Sequence, residues 1–329
     1  MQATVIVPTF GRPQSVKAAM RSLLELEPQR QSVEILVVDN NSDQALSSDL
    51  HAACKSAGDG VRYVAEPSPG LTAARHKGAR EARGAVLIFI DDDVQLSEGW
   101  LRSYLHAFAD EGLGMAGGPS IPLFTASIPP WLWEYIGPTP YGGWHCGWLS
   151  LLDIGRAVEA FDPTWIWGLN FAIRRDLLSR LRGFHPDLVP PRLQRWQGDG
   201  ETGLSLKAAA AGVRCAYVPG ALLQHVVGAD RLTPEYFARR AYYQGVCDSF
   251  TRIRAGSAPS PASSAPKPVE KRSWLRRKVE SAARDVKART DSAYRDGWTF
   301  HQTEAAADSR LLQWIRRADY WECDIREEA

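Results

Sequence analysis

No stretch of this chain approaches the roughly 18 consecutive apolar residues that a membrane-spanning helix needs, so a spanning protein is not expected. The start, MQATVIVPTF, carries no basic segment ahead of a long apolar one, and a secretory leader is not expected either. The five cysteines (Cys54, Cys146, Cys215, Cys247, Cys323) are scattered, odd in number and never in a CxxC spacing. That argues against a zinc knuckle or a disulfide framework and for a reducing compartment. Charge of one sign is missing too. The 39 Lys and Arg against 38 Asp and Glu leave a net +1, which gives no global field to attract nucleic acid or repel an acidic ligand. No internal repeat is evident. The expectation is a cytoplasmic protein with a sizeable core, no nucleic-acid partner, and any charged ligand held by a local cluster.

What is present in the first 120 residues is an alternation of two textures. Short β-branched runs stand at Thr4–Val7, Glu34–Val38, Arg62–Val64 and Val86–Ile90, with helix-like stretches at Pro13–Leu26 and Leu71–Arg83. Pro13 suits a first helical turn, and Ser97 with Glu98 reads as a cap opening a further helix. Strands apolar on both faces alternating with helices predict an α/β fold with a mostly parallel sheet. In such sheets ligands bind beyond the carboxyl ends of the strands. Three polar clusters fall on that edge: Pro8-Thr9-Phe10, Asp39-Asn40-Asn41-Ser42 and Asp91-Asp92-Asp93.

The aspartate triplet directly after VLIFI is the sharpest local feature. Three adjacent carboxylates do not all stay ionised without a cation or several donors. Hard oxygen ligands in a row select Mg²⁺ or Mn²⁺ over zinc, and Mg²⁺ completes its shell with water and substrate phosphates. A metal–diphosphate site is one reading. An acid-rich turn before a helix is the other.

Beyond Pro119 six tryptophans crowd in (Trp131, Trp133, Trp144, Trp148, Trp165, Trp167), either as an aromatic core or as a platform for a sugar face. Order returns over 168–250, with strand-like Asn170–Ile173 and Arg214–Val218 and helix-like Asp176–Leu181, Glu201–Ala211 and Pro234–Phe250. The Pro/Ser/Ala-rich stretch 255–268 reads as a linker. From Lys267 to Arg289, nine basic residues stand against Glu270, Glu280 and Asp285, a local +6. With Trp274 and Leu275 that segment reads either as a helix on an anionic membrane surface or as a solvated or self-packing tail. The expected organisation is a domain over 1–254 (a nucleotide-binding half, 1–120, and an acceptor half, 121–254), a linker over 255–268 and a helical extension over 269–329. Removal of everything after Gly256 is expected to leave the domain folded.

The segments VIVPTFGRP, VVDNNSDQ, PGLTAARHKGAREARGAVLIFIDDDV and GLNFAIRRDLL…GF…GDGETGLSLKAAAAG, in that order, resemble glycosyltransferase family 2 over roughly residues 1–250. The resemblance implies a GT-A fold (a Rossmann-like, mixed but mostly parallel sheet flanked by helices) and metal-dependent, inverting sugar transfer. The implied donor is a nucleotide-diphosphate sugar, and the acceptor a hydroxyl on a saccharide, a lipid-linked glycan or another molecule. It implies that Pro8, Thr9, Phe10 and Arg12 line the nucleotide pocket and that Asp39 bonds the base. By the same resemblance Arg75 faces the diphosphate, Asp91 and Asp92 hold the ribose and the surroundings of the metal, and Gly168 and Asn170 meet the sugar. Asp93 would hold Mn²⁺ or Mg²⁺, with His225 as an additional ligand; a histidine at a strand end is otherwise structural. His76 stands where the family often has Asn. Inverting transfer also needs a carboxylate base. Counting back from Gly212 puts Glu201 at that position, and Asp199, one residue off the pattern, is the alternative. The same stretch matches G-x-G-x-x-G, but it follows QRW, not a strand, and its acids would repel a pyrophosphate. Two rivals stand beside the transferase: a sugar nucleotidyltransferase, which would want a basic Gly-rich loop after the first strand, and a non-catalytic nucleotide-sugar-binding protein. Oligomeric state is not legible.

Overall fold

The computed structural model describes residues 1–26, 32–41, 43–260, 265 and 279–328. In the first third, strands β1 (Ala3–Thr9), β2 (Val33–Asp39), β3 (Val61–Ala65) and β4 (Val86–Ile90) alternate with helices α1 (Pro13–Leu24), α2 (Gln44–Ser56) and α3 (Leu71–Glu81). Then follow β5 (Val94–Leu96), α4 (Trp100–Ala107), β6 (Met115–Gly117), β7 (Ser120–Phe124), β8 (Gly137–Pro138), β9 (Trp144–Cys146) and β10 (Leu151–Asp153). The remainder comprises β11 (Asn170–Arg174), α5 (Arg175–Arg180), α6 (Gly200–Ala210), β12 (Cys215–Tyr217), β13 (Leu223–Val227), α7 (Pro234–Arg254), α8 (Val279–Ala307), α9 (Ser309–Ile315) and α10 (Ile325–Glu328).

The central sheet has the order β12-β6-β11-β4-β1-β2-β3. Its strands run parallel except β11, which is antiparallel to both β4 and β6. Every residue of β1, β2 and β4 is buried, as their unbroken apolar runs predict. Alternate side chains serve the two faces. Val5, Val7, Ile35, Val37 and Ile88 pack under Met20, Leu50 and Trp100. Ile6, Leu36, Val38, Leu87 and Phe89 pack against Ala74 of α3 and Leu204 of α6. Helix α1 buries Val16, Ala19, Met20 and Leu23, the spacing of one helical face, with Pro13 in its first turn.

A second sheet, β5-β13-β7-β10-β9-β8, stands beside the acidic strand end. Its strands are two to five residues long, too short to register as periodicity, and part of the tryptophan-rich segment builds it. Trp131 packs against Phe237 of α7, while Trp165 and Trp167 stack beside His145. Helix α2 also escapes the periodicity, because only Leu50 and Cys54 of its thirteen residues are buried; its legible mark is Asp43, whose carboxylate accepts from the Ala45 and Leu46 amides. Ser97 is not a cap. Helix α4 begins after Gly99 with no side-chain cap, and Ser97 offers only its carbonyl to the Trp100 amide.

The C-terminal helices lie against the rest of the protein. Helix α8 runs along α7, burying Trp298, and Nε2 of Gln302 donates to Ser249 Oγ at 2.9 Å. Further on, Trp314 and Tyr320 join Trp196 and Phe250 in one apolar cluster. The expectation of a removable appendage does not match this packing. Trp274, Leu275 and most of the basic stretch 267–289 lie outside the described residues. No described helix is long and apolar enough to cross a membrane.

Candidate active site

The carboxyl ends of β1, β2 and β4 meet at one edge, as the parallel register requires: Thr9 lies opposite Asp39, and β4 pairs with β1 on its other side. Asp39 is buried, and it accepts from the Tyr63 hydroxyl at 2.8 Å and from Asn41 N and Nδ2 at 3.0 and 2.6 Å. Pro8 is buried within β1, whereas Phe10, just past it, is 64% exposed at the open edge.

The three aspartates after β4 diverge, and each meets a different set of cations. Asp92 is fully buried; Thr9 Oγ1 donates to it at 2.6 Å and Arg12 Nη2 stands 2.7 Å from its other oxygen. Burial outweighs Arg12 and pushes its carboxyl up to about 7. Asp93 takes Arg12 Nη1 at 2.5 Å and the guanidinium of Arg231 on the same Oδ2. Burial alone would raise the Asp93 carboxyl, but the guanidinium groups of Arg231 and Arg12 hold it well below the usual range. Asp91 is part-exposed and faces Arg75 at 3.7 Å; burial raises its carboxyl despite that charge.

His225 reaches this cluster because β13 pairs antiparallel with β5, setting His225 opposite Val94, next to Asp93. Its Nδ1 lies 2.9 Å from the Leu149 carbonyl, which can only accept, so Nδ1 carries the hydrogen. The lone pair of Nε2 then faces Arg231 Nη1 at 2.5 Å and Asp93 Oδ1 at 3.4 Å. Asp93 Oδ1 is buried and accepts no hydrogen bond. A carboxylate oxygen without a donor, beside an imidazole lone pair oriented by a carbonyl, is a donor set that fits a divalent cation. Among the described residues no cluster of three His, Cys, Asp or Glu stands close enough to hold an ion. These two ligands would therefore leave the remaining positions to phosphate and water, as Mg²⁺ and Mn²⁺ sites commonly do.

On the other side of Asp91, Arg75 is almost fully buried and donates to Glu201 Oε2 at 3.0 Å. The Gly168 amide points at Glu201 Oε1 from 3.4 Å. A Cβ on Gly168 would stand 2.3 Å from the Arg75 guanidinium, so this close approach requires glycine. Burial favours the neutral form of Glu201, but Arg75 outweighs it and keeps the carboxyl below its ordinary value. Glu201 sits in the first turn of α6, with about a third of its side chain exposed.

Asp199 and Asn170 do not join this group. Asp199 points inward, with Oδ1 2.6 Å from His185 Nδ1 and Oδ2 accepting from Thr251 at 2.6 Å; 2% of its side chain is exposed. Asn170 has all its polar capacity engaged in the core, accepting from Trp100 and Tyr104 and donating to the Pro119 and Ala221 carbonyls. His76 is buried, with Nε2 accepting from the Phe184 amide at 2.9 Å, and burial pushes it down to about 3.

Three residues of the site escape sequence reasoning. Arg231, six residues after His225, has no motif around it. Tyr63 carries no mark beyond its place in β3. Asp187 lies against α6, where Gly200 adopts φ +54° and a Cβ would stand 2.6 Å from its carboxylate. Burial and the nearby Glu201 push Asp187 up to about 6.

Residues 4–145 match the family model described as Glycosyl transferase family 2. The glycosyltransferase AglE of Haloferax volcanii is 25% identical over 116 residues, which are 35% of this chain and 38% of that protein. Succinoglycan biosynthesis protein ExoM of Rhizobium meliloti is 24% identical over 239 residues, 72% of this chain and 71% of that one. The match thus spans little over a third of the first relative and about seven-tenths of the second. Among solved structures, the mannosyltransferase PcManGT from Pyrobaculum calidifontis, in complex with GDP-Man and Mn²⁺, superposes with a TM-score of 0.52 at 19% identity, covering 93% of this chain and 74% of that one. That likeness bears on the fold, which is GT-A, as the resemblance implied. Over residues 4–145, less than half of its length, the chain is thus similar to glycosyl transferase family 2.

Proposed function

We propose that the protein transfers a sugar from a nucleotide-diphosphate donor to a hydroxyl acceptor, with inversion and with a divalent cation bound. The observation that carries this reading is that Arg75 joins the carboxylate of Glu201 to Asp91, two residues before the Asp93–His225 donor set. The relatives and the superposed mannosyltransferase support it by name.

The nucleotide would lie over the ends of β1 and β2, with its base near Asp39 and Tyr63 and one face covered by exposed Phe10. Asp93 and His225 would hold Mn²⁺ or Mg²⁺. When bound, the ion would neutralise charge on the departing diphosphate. Arg12 and Arg231 already converge on Asp93 and are close enough to turn onto phosphate oxygens. Glu201 acts as the base: ionised, held by Arg75 and part-exposed, it takes the acceptor proton as the hydroxyl attacks the anomeric carbon opposite the diphosphate. The Gly168 backbone borders the space in front of it. Composition supports a cytoplasmic location and a contact of the basic stretch 267–289 with an anionic membrane.

A thermal-shift screen of UDP- and GDP-sugars, with and without Mn²⁺, tests the donor site. At a donor concentration of 100 Kd the stabilisation is about 2.7 kcal/mol, and Asp93→Ala should remove its Mn²⁺ dependence. If no nucleotide sugar raises the melting temperature in the presence of Mn²⁺, the reading fails.

A further inference from the structure

A cavity of about 340 Å³ lies between the start of α3, the turn around Asp187 and the C-terminal segment. It is distinct from the donor groups described above, none of which lines it except Asp187. We infer that it is a distal acceptor subsite that holds an uncharged sugar unit, remote from the reacting hydroxyl. The inference rests on the glycosyltransferase reading and extends it.

The volume falls at the lower end of the 300–1,000 Å³ usual for small-ligand sites. Its wall combines an aromatic, half-buried Trp321, with short polar groups, Ser68 and Thr72, and with the carboxylates of Glu66, Asp187, Glu322 and Asp324. An indole beside hydroxyls and carboxylates suits a pyranose, whose C–H face is apolar and whose rim donates hydrogen bonds. Three of the four carboxylates already have partners, so the wall does not demand a cation. Arg326 pairs with Asp324, Arg80 stands 3.8 Å from Glu66, and Gln197 donates to Asp187 at 2.7 Å. An anionic ligand is disfavoured in turn, because Arg80 is the sole basic side chain among the lining residues apart from His76, whose burial keeps it neutral.

The place of the cavity ties it to the chemistry. Asp187 lies on its wall and also abuts Gly200, the residue before Glu201. A saccharide in the cavity is therefore one carboxylate away from the base. The C-terminal segment closes the other wall, with Arg80 Nη1 donating to the Trp321 carbonyl at 2.5 Å and Arg326 donating to Ser68 Oγ at 3.3 Å. The tail then serves as more than packing, since it supplies the aromatic surface of the subsite.

The full-length protein is probed by saturation-transfer NMR with maltose, cellobiose and lactose, and with glucuronate and spermidine as charged probes. Binding of UDP or GDP with Mn²⁺ is measured by calorimetry on the same samples. At least one neutral disaccharide should receive saturation. Trp321→Ala should weaken it at least tenfold, Trp321→Phe should largely restore it, and Ala73→Phe, which fills the cavity from α3, should abolish it. Nucleotide affinity should stay within twofold in all three variants, which also shows that they are folded. The inference is overturned if no neutral saccharide binds, if spermidine or glucuronate alone binds, or if Ala73→Phe leaves saccharide binding intact. A parallel loss of nucleotide affinity would assign the cavity to the donor and overturn it as well. Saccharide binding without any nucleotide binding would uphold the cavity and sink the transferase reading instead.

Discussion

Glu201 and Asp199 carry the same functional group two positions apart, and their surroundings give them opposite work. Asp199 is buried with both oxygens engaged, by His185 and Thr251, and so fastens α6 to the turn before it and to α7. Glu201 keeps a third of its side chain open and is held ionised by Arg75. Glu201→Gln should therefore lower transfer by about 10²–10⁴-fold, the range of general-base catalysis, with donor affinity unchanged. Asp199→Asn should act on folding, costing about 1–3 kcal/mol for a buried bond left imperfect, with the residual folded enzyme still transferring sugar. Single-turnover rates with donor calorimetry and urea unfolding of both variants separate the two. If Asp199→Asn abolishes transfer at unchanged stability, the roles are reversed. The sequence left these two acids in competition because spacing reports position along the chain, whereas burial and partners decide which carboxylate is available. Asn170 shows the same limit: it sits where the resemblance implies a sugar contact, yet Trp100, Tyr104 and two carbonyls occupy it.

Among the elements, strong local signals came through and weak ones did not. VLIFI reads as a buried strand because five apolar residues in a row have no solvent face, and β4 spans those same residues. Short strands such as β9 and β10 carry no such signal, since three residues hold less than two periods. Helix pairing leaves another mark that only the structure makes legible. At the crossing of α7 and α8, a Cβ on Gly245 would lie 2.1 Å from the Tyr294 carbonyl, and one on Gly297 2.0 Å from the Tyr242 carbonyl. Two helices whose backbones touch on both sides cannot accept a methyl without separating. Gly245→Ala would gain about 1 kcal/mol of helix propensity if it were exposed. Here overpacking of about 1–3 kcal/mol or more opposes that gain, so a net loss of stability is expected. Chemical denaturation of Gly245→Ala checks the sign, and a variant more stable than the parent would contradict the crossing.

The whole molecule differs most from its sequence in how the tail is used. AGSAPSPASSAPKP marks a break in composition, and that much is legible because Pro, Ser and Ala in such density build no core. What the tail packs on is not legible, since its partners lie 50 to more than 200 residues earlier and share no periodicity with it. Trp314 meets Trp196, Ser249 meets His301, and Trp321 covers His76. Cutting the chain after Gly256 would bare Phe250 and Ile253, both 0% exposed, together with Trp196 and the long apolar face of α7. Exposing each such side chain costs about 1.5–3 kcal/mol, and a domain typically has only about 5–15 kcal/mol in all. The truncated protein should accordingly be insoluble, or should melt at least about 10 °C lower, given about 2–4 °C per kcal/mol at this size. The group of Asp93, His225 and Glu201 described above contains no residue from the tail, so whatever fraction stays folded should keep the proposed Mn²⁺-dependent nucleotide binding. Saccharide binding, which draws on Trp321, should vanish. A truncated protein with parental melting temperature would show that the tail merely rests on the domain, and one that still bound disaccharide would remove it from the acceptor site.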